Sequence, residues 1–485
     1  MIEKIKRLGS DTAIYGISTI LGRFLTFFLT PFYTHLLLPE DLGVVATMYA
    51  YIAFLNVVYA HGMESAYMKY VSTLEIGSRK QNFTIPFLSV AVVAGVLSGL
   101  ALLFNRPLAD LADLPEDFLP LIAYGAGILF CDALAVIPFA ELRMARKARW
   151  FAAIKLTGIV VNVGCNLFFL LHFRMGVEGI FLSNLLSNGL VLLLLVPVIV
   201  RNWERVPSRE LYAALLRFGL PYVPAGLAAM MIQVINRPIL EALQGRAAVG
   251  VFQANYRLGI FMMLLVSMFD FAWRPFFLTH ASDPDAKPLF ARVFTYAVLV
   301  FTLAFVALTL FLGDIVRAPV IAGKALIAPA YWTGLDIVPL ILLAYLFLGV
   351  YNNLVAGIYI QKKTSVLPAI TIGAAVVNVA ANYLLIPQLG LTGAALATLA
   401  SYGVMAGVMF VVVQRVYPIA YEWGRVGKIA VAAAAAVLPS VLLPEGAIGS
   451  GGKALLLVGF VLVMLLFRFF TKEEVLRLKG ALRIF

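Results

Sequence analysis

Stretches such as FTIPFLSVAVVAGVLSGLALLF, residues 83–104, recur from end to end of this chain, each uncharged or nearly so over about twenty residues. One such run suffices to cross a hydrocarbon layer of about 30 Å. A backbone surrounded by lipid must satisfy its own hydrogen bonds, which leaves helices or a closed barrel. The runs are too long and too continuous for barrel strands, so the chain reads as an all-α polytopic membrane protein. Composition agrees: 62% of the 485 residues are hydrophobic and 13% charged, against about 25% charged in an average soluble domain.

Hydropathy places about fourteen helices. Their approximate spans are 12–38, 42–62, 83–104, 118–140, 151–172, 177–200, 215–241, 249–272, 290–313, 333–358, 364–386, 391–413, 428–443 and 453–470. Lys and Arg then set the orientation. One set of connections, including both termini, holds 25 of them, the opposite set holds 6, and six more fall within spans. Basic loops face the cytoplasm, so both termini are expected there. The net charge of +12 follows from loops facing anionic headgroups and calls for no nucleic acid. Residues 471–485 are expected to form a basic cytoplasmic tail resting on the membrane surface. The N-terminal apolar run is too long for a signal-peptide core and reads as a retained anchor.

An internal repeat organises the spans. VVNVGCN at 160–166 returns as VVNVAAN at 376–382, with Asn162/Asn378 and Asn166/Asn382 both 216 apart. Gly176/Gly390, Gly179/Gly393, Ser187/Ser401 and Gly189/Gly403 follow with a separation of 214. Earlier in each half, Pro31/Pro238, Gly43/Gly250, Val44/Val251 and Tyr49/Tyr256 are 207 apart. The unit is six spans long. An even number of spans returns the chain to its starting side, so the halves are expected to be parallel repeats with the substrate site between them. The domain reading is a lobe at 1–200, a cytoplasmic connection at 201–214, a second lobe at 215–413 and two further spans within 414–470.

Two asparagines four apart share one helix face. They either contact substrate or bond a neighbouring helix, and paired amides in spans commonly serve the second role. Ionisable groups at depth are functional candidates by default. Lys155, Arg217 and Arg292 lie near cytoplasmic span ends and can snorkel. Arg23 lies eleven residues into the first span, about 16 Å deep, on a polar stripe of Thr12, Thr19, Thr26 and Thr30. That stripe lines a wet cavity or a partner helix; backbone carbonyls satisfying Arg23 are the alternative. Gln253, Tyr256, Arg257, Ser267 and Asp270 share a face of span 8. Gln233 and Arg237 sit one turn apart in span 7, which Pro221, Pro224 and Pro238 interrupt, as hinges or as fixed kinks. Asp132, in the inner half of span 4, is a candidate for coupling to an ion. The deep balance is cationic. An arginine-lined cavity favours an anionic head group, phosphate in particular.

LGRFLTFFLTPFYTHLLLPEDLGVVA, LLRFGLPYVPAG, YRLGIFMMLLVSMFDFAWRPFF and VVNVAANYLLIPQLGLTGAALATLASYG resemble the polysaccharide transporter (Wzx-type oligosaccharide flippase) family. That family is part of the superfamily that includes the lipid II flippase and the multidrug and toxin extruders, and the likeness covers nearly the whole chain. It implies a V-shaped, two-lobed bundle that carries undecaprenyl-diphosphate-linked oligosaccharides across the bacterial inner membrane by alternating access, for surface polysaccharide biosynthesis. It also implies that arginines of the first and eighth helices, here Arg23 and Arg257, engage the diphosphate, and that the last two spans correspond to helices that groove a lipid tail. The chain departs from some relatives at Arg274, where they carry Glu. Arg23, Arg237 and Arg257 are thus the expected diphosphate ligands, with Thr19, Thr26, Thr30, Gln233, Gln253 and Tyr256 lining the cavity. Polysaccharide polymerase and assembly proteins are candidate partners. No cofactor is expected and no metal, since two cysteines and four scattered histidines show no ligand spacing. No phosphate-binding Gly-Lys-Ser/Thr loop is present. A cation-coupled multidrug exporter of the same architecture is the alternative, although it would call for deep carboxylates. A membrane glycosyltransferase or polymerase fits less well, because the longest outer connection, 314–332, carries no paired carboxylates.

Overall fold

The computed structural model describes residues 20–22, 24–25, 27–112, 114–205, 208–321, 323–443, 447–467 and 469. Thr12, Thr19, Arg23, Thr26 and the tail from 471 lie outside the described residues. Nearly all the described chain is helical, as the demand for internally satisfied backbone requires. In order, the helices are α1 (Leu29–Leu36), α2 (Pro39–Ala60), α3 (Met63–Thr73), α4 (Arg79–Leu103), α5 (Asn105–Leu111), α6 (Pro120–Met144), α7 (Ala148–Leu171) and α8 (Gly176–Asn202). Then follow α9 (Arg209–Gly219), α10 (Tyr222–Val234), α11 (Asn236–Gln244), α12 (Arg246–Tyr256), α13 (Ile260–His280), α14 (Ala286–Arg317), α15 (Val338–Ile360), α16 (Val366–Leu389), α17 (Leu391–Val416), α18 (Trp423–Val437) and α19 (Ala447–Leu466). A two-stranded antiparallel hairpin, β1 (Pro319–Ile321) with β2 (Lys324–Ala325), follows α14.

Twelve helical segments among the described residues are long and apolar enough to cross a membrane. Ten of the 27 residues of the first expected span, 12–19, 23 and 26, lie outside the described residues. The thirteenth takes the form of α18, fifteen residues, followed by a 3-10 segment at Leu438–Leu442. Its fifteen α-helical residues rise about 22 Å and the five 3-10 residues about 10 Å more.

The breaks within spans have local causes. Span 7 is divided at Leu220–Pro221 and again at Ile235, three residues before Pro238. Pro224 causes no break. It falls in the first turn of α10, where its missing N–H has no helical partner to lose. Span 8 is divided by a 3-10 turn at Arg257–Gly259. The α4 start is fixed by a capping box: Ser78 Oγ accepts from the Gln81 N–H at 3.1 Å, and Gln81 Oε1 accepts from the Ser78 N–H at 2.8 Å.

The chain forms two compact units. One runs to Arg257 and includes Thr371–Ala397; the other holds Leu258–Ile370 and the chain from Thr398. The division therefore falls inside span 8, and span 7 with the first half of span 8 joins the first unit. The reason is the packing of α12 on α2. A Cβ on Gly43 would run into the Arg246 carbonyl group, whose carbon would be 2.8 Å away; one on Gly250 would meet the Pro39 carbonyl group, its carbon at 2.7 Å. Pro39 and Arg246 open α2 and α12 and are themselves 207 residues apart. Thr47 and Ala254, one turn on from the two glycines, are also buried. Small residues at this spacing let two helix backbones approach closely.

The rest of the first unit packs α6 on α8, α8 on α7 and α4 on α6. Ala135, Leu142, Phe151, Ile154 and Leu195 form one apolar cluster there. At one end, buried Glu141 accepts from the Tyr67 hydroxyl and pairs with Arg79 at 3.2 Å. In the second unit, α15 packs on α13 and α14, and α18 on α14 and α19. Lys453 pairs with Asp314 at 2.7 Å, and Lys428 Nζ donates to the Phe467 carbonyl at 2.8 Å. These two contacts pin α19 at both of its ends.

Candidate functional site

The polar groups of the first unit gather where its helices break. Arg257 occupies the 3-10 turn that ends α12, and short 3-10 stretches inside a span often mark functional positions. Its Nη1 lies 3.4 Å from Thr30 Oγ1, and its guanidinium carbon sits 5.5 Å from the centre of the Tyr33 ring. Thr30 and Tyr33 are neighbours at i, i+3 on α1, both buried. Tyr49 of α2 is also within electrostatic reach of Arg257. Among the described residues, Arg257 pairs with no carboxylate.

Tyr33 is held from below. Its hydroxyl donates to Asn166 Oδ1 at 2.8 Å, which ties α1 to α7. The Asn166 amide nitrogen donates to the carbonyl of Asn162 at 2.9 Å and to Asn162 Oδ1 at 3.2 Å. Those two acceptors decide which end of the Asn166 amide faces Tyr33. The sequence-level choice between interhelical bonding and substrate contact is therefore resolved for Asn166 as interhelical bonding, but to the side chain beneath an arginine.

Arg237 lies in α11, 6% exposed. Its Nε donates to Gln253 Oε1 at 2.8 Å, its Nη1 to the Gln233 carbonyl at 2.6 Å, and its guanidinium carbon is 5.1 Å from the Tyr256 ring centre. The structure thus brings Arg237, Gln253 and Tyr256 together, and Thr30 with Arg257. Gln233 contributes its backbone carbonyl to this group while its side chain is exposed. Val234, Ile235 and Pro238 face the other way, into an apolar cleft of about 450 Å³ shared with Tyr51, Phe54 and Leu129.

Asp132 of α6 lies beside Asn56 and within electrostatic reach of Tyr49. Asn184 Nδ2 in turn donates to the Tyr49 hydroxyl at 2.7 Å, and Tyr49 stacks on Phe181 with ring centres 5.0 Å apart. Arg274, on α13, pairs with Asp270 one turn earlier at 3.1 Å. Arg23, Thr19 and Thr26 lie outside the described residues.

Sequence reasoning missed Tyr33, Asn184 and the role of Tyr49. Tyr33 carried a signal: it continues the Thr26, Thr30 stripe by one helical step. Its apolar neighbours in LTPFYTHLLL disguise it as core.

Comparison with known proteins follows the same outline. A family model described as polysaccharide biosynthesis protein matches residues 8–279. The lipid II flippase MurJ in an inward closed conformation superimposes with a TM-score of 0.74 at 15% identity, covering 94% of this chain and 98% of that one. An inward-facing multidrug resistance MATE family transporter of the MOP superfamily gives 0.65 at 16% identity, over 81% and 94% of the two chains. A MATE transporter from Vibrio cholerae gives 0.56 at 14% identity, over 84% and 96%. No curated protein matches the sequence. The fold is that of the MOP superfamily transporters, and the family match extends over more than half of the residues. This multi-pass membrane chain belongs to the polysaccharide biosynthesis protein family.

Proposed function

We propose that the protein is a flippase that moves an undecaprenyl-diphosphate-linked oligosaccharide across the bacterial inner membrane by alternating access, with both termini cytoplasmic. The observation that carries this reading is Arg257: a guanidinium within a membrane span, with neutral partners only among the described residues. A cation at that depth is costly unless paired, and a diphosphate supplies the missing charge in a geometry that the planar fork matches. Arg237, whose Nε and Nη1 are already engaged, takes a supporting role, and Arg23 is the third proposed ligand. Thr19, Thr26, Thr30, Gln233, Gln253 and Tyr256 line the path of the head group.

The reciprocal approach of Gly43 and Gly250 supports two parallel six-span repeats, since each glycine meets the first residue of the other's helix. The transport lobes are then residues 1–200 and 215–413. An apolar cleft of about 580 Å³ in the second unit, lined by Phe305, Phe347, Phe410, Trp423 and Ala433, supports seating of the prenyl chain against the added helices of 414–470. Polysaccharide polymerase and assembly proteins are the expected partners.

The MATE likeness and the carboxylate of Asp132 favour a second reading, export of an organic cation. One assay separates the two. Purified protein in vesicles is given a fluorescent prenyl-diphosphate-linked sugar or a labelled organic cation. Flipping of the first, cut by about one to two orders of magnitude in Arg257→Ala at unchanged protein abundance, is the expected result. Transport of the cation alone, unaffected by Arg257→Ala, would overturn the flippase assignment.

A further inference from the structure

We infer that Asn166 and Tyr33 are positioning residues for Arg257, which makes the VVNVGCN motif part of the anion site although none of its side chains touches the anion. The inference rests on the diphosphate reading of Arg257 and deepens it. Asn162 holds the Asn166 amide by two bonds from one nitrogen, at 2.9 and 3.2 Å. The carbonyl end of that amide is left facing Tyr33 and accepts its hydroxyl at 2.8 Å. A tyrosine fixed at its hydroxyl cannot swing, so its ring becomes a stationary platform 5.5 Å below the guanidinium carbon.

The platform suits its purpose because of which part of the guanidinium it uses. A cation over an aromatic face is attracted through the ring quadrupole and spends none of its N–H donors on the contact. Among the described residues, the only hydrogen bond that restrains the group, to Thr30 at 3.4 Å, is long. The in-plane fork is therefore left for the two oxygens of a phosphate. Arginine has many rotamers, and ordering it before the ligand arrives removes that cost from binding.

The chain contains its own control. In the second copy of the motif, the Asn382 amide nitrogen donates to the Asn378 carbonyl at 2.8 Å and to Asn378 Oδ1 at 3.0 Å, as in the first. Asn382 Oδ1 is nonetheless buried without a partner among the described residues. The residue 207 positions after Tyr33 is Leu240, fully buried and with no hydroxyl to offer. The same amide pair is present, but among the described residues nothing connects it to an arginine.

The test titrates inorganic pyrophosphate and, in parallel, a short prenyl diphosphate against purified full-length protein. Tyr33→Phe keeps the ring and loses the hydroxyl; Asn166→Leu removes the acceptor; Asn382→Leu alters only the second copy. Tyr33→Phe and Asn166→Leu should each weaken both ligands by about threefold to tenfold. The double variant should be no worse than either alone, because both break one connection. Asn382→Leu should leave affinity within about twofold. In vesicles the first two should raise KM with kcat unchanged, a split that a merely structural bond would not produce. Should Asn166→Leu fail to fold, Tyr33→Phe carries the test by itself. If Arg257→Ala abolishes pyrophosphate binding while Tyr33→Phe binds as the parent does, the positioning role is wrong and the diphosphate reading stands. If Arg257→Ala binds pyrophosphate normally, the diphosphate reading falls and takes this one with it. A loss confined to the prenyl diphosphate would place the effect at the lipid and also overturn the inference.

Discussion

The two asparagine pairs have the same internal geometry and different surroundings. In both, the second amide nitrogen donates to the carbonyl and the side-chain oxygen of the first. From there they part. Asn166 reaches Tyr33 on α1, while in the second copy it is Asn378 that reaches out, its Nδ2 donating to the Ala397 carbonyl on α17 at 3.3 Å. One copy connects to an arginine and the other fastens adjacent helices. The charges divide in a similar way: 207 residues before Arg237 and Arg257 stand Thr30 and Ala50. Features that set helix approach are kept in both copies, and features that set chemistry occur in one. That contrast predicts which substitutions should have equal effects in the two copies and which should not.

The largest expected effect is an equal one. Gly43→Ala and Gly250→Ala each put a methyl group into a backbone carbonyl, and backbone cannot move aside as a side-chain tip can. Each should destabilise by about 3 kcal/mol or more, read as a lowered melting temperature and reduced abundance. If one is tolerated and the other is not, the α2–α12 approach is not reciprocal. The next effect should be unequal. Asn166→Leu strands the Tyr33 hydroxyl and should cost roughly 2 kcal/mol. Asn382→Leu discards an acceptor that was already buried without a partner among the described residues, and should cost about half as much or less. Equal melting temperatures for these two variants would erase the distinction between the copies.

How much of this was legible beforehand depends on the range of the interaction. The spans follow from hydropathy, and the breaks follow largely from prolines whose local chemistry is visible in FGLPYVPAG and INRPIL. The amide pair was visible too, since four-residue spacing is a property of one helix. Its partner was not. Tyr33 and Asn166 are separated by 133 residues, and only the packing of α1 on α7 joins them. Arg237 and Gln253 are nearer in sequence but meet only because α11 turns back beside α12. Span 13, expected over 428–443, begins five residues earlier, at Trp423, and passes into 3-10 geometry after Val437. The division between compact units shows the same limit. Close glycine packing between residues 207 apart carries α12 into the first unit, and no single stretch of sequence displays it.

A smaller, equal pair concerns the turns that follow the motif. Gly176 and Gly390 both have positive φ, 57° and 54°, and a Cβ at either would meet nothing within 4 Å. Only backbone strain opposes a side chain there. Gly176→Ala and Gly390→Ala should each cost about 1–2 kcal/mol, with melting temperatures that fall together. A marked difference between them would mean that the α7–α8 and α16–α17 turns are not equivalent after all.

The smallest effect expected is at Lys155, and it sharpens the contrast because it is a charge on the motif helix itself. Lys155 lies one turn after Phe151 on α7, its Nζ 5.3 Å from that ring, and 216 residues later the second copy carries Thr371. It is thus a residue of the first copy only, as Tyr33 is. Its place near a span end lets the ammonium reach the interface along its own stem, whereas Arg257 is held within the span by Thr30 and Tyr33. If being present in one copy were enough to mark function, Lys155→Ala would impair flipping. If function follows connection to Arg257, the variant should flip lipid-linked sugar within about twofold of the parent, since an ammonium that reaches the interface along its own stem serves as an anchor. A loss comparable to that of Arg257→Ala would mean that the anion path runs along α7 itself, and the Asn162–Asn166 face would then have to be read as a lining and not as a support.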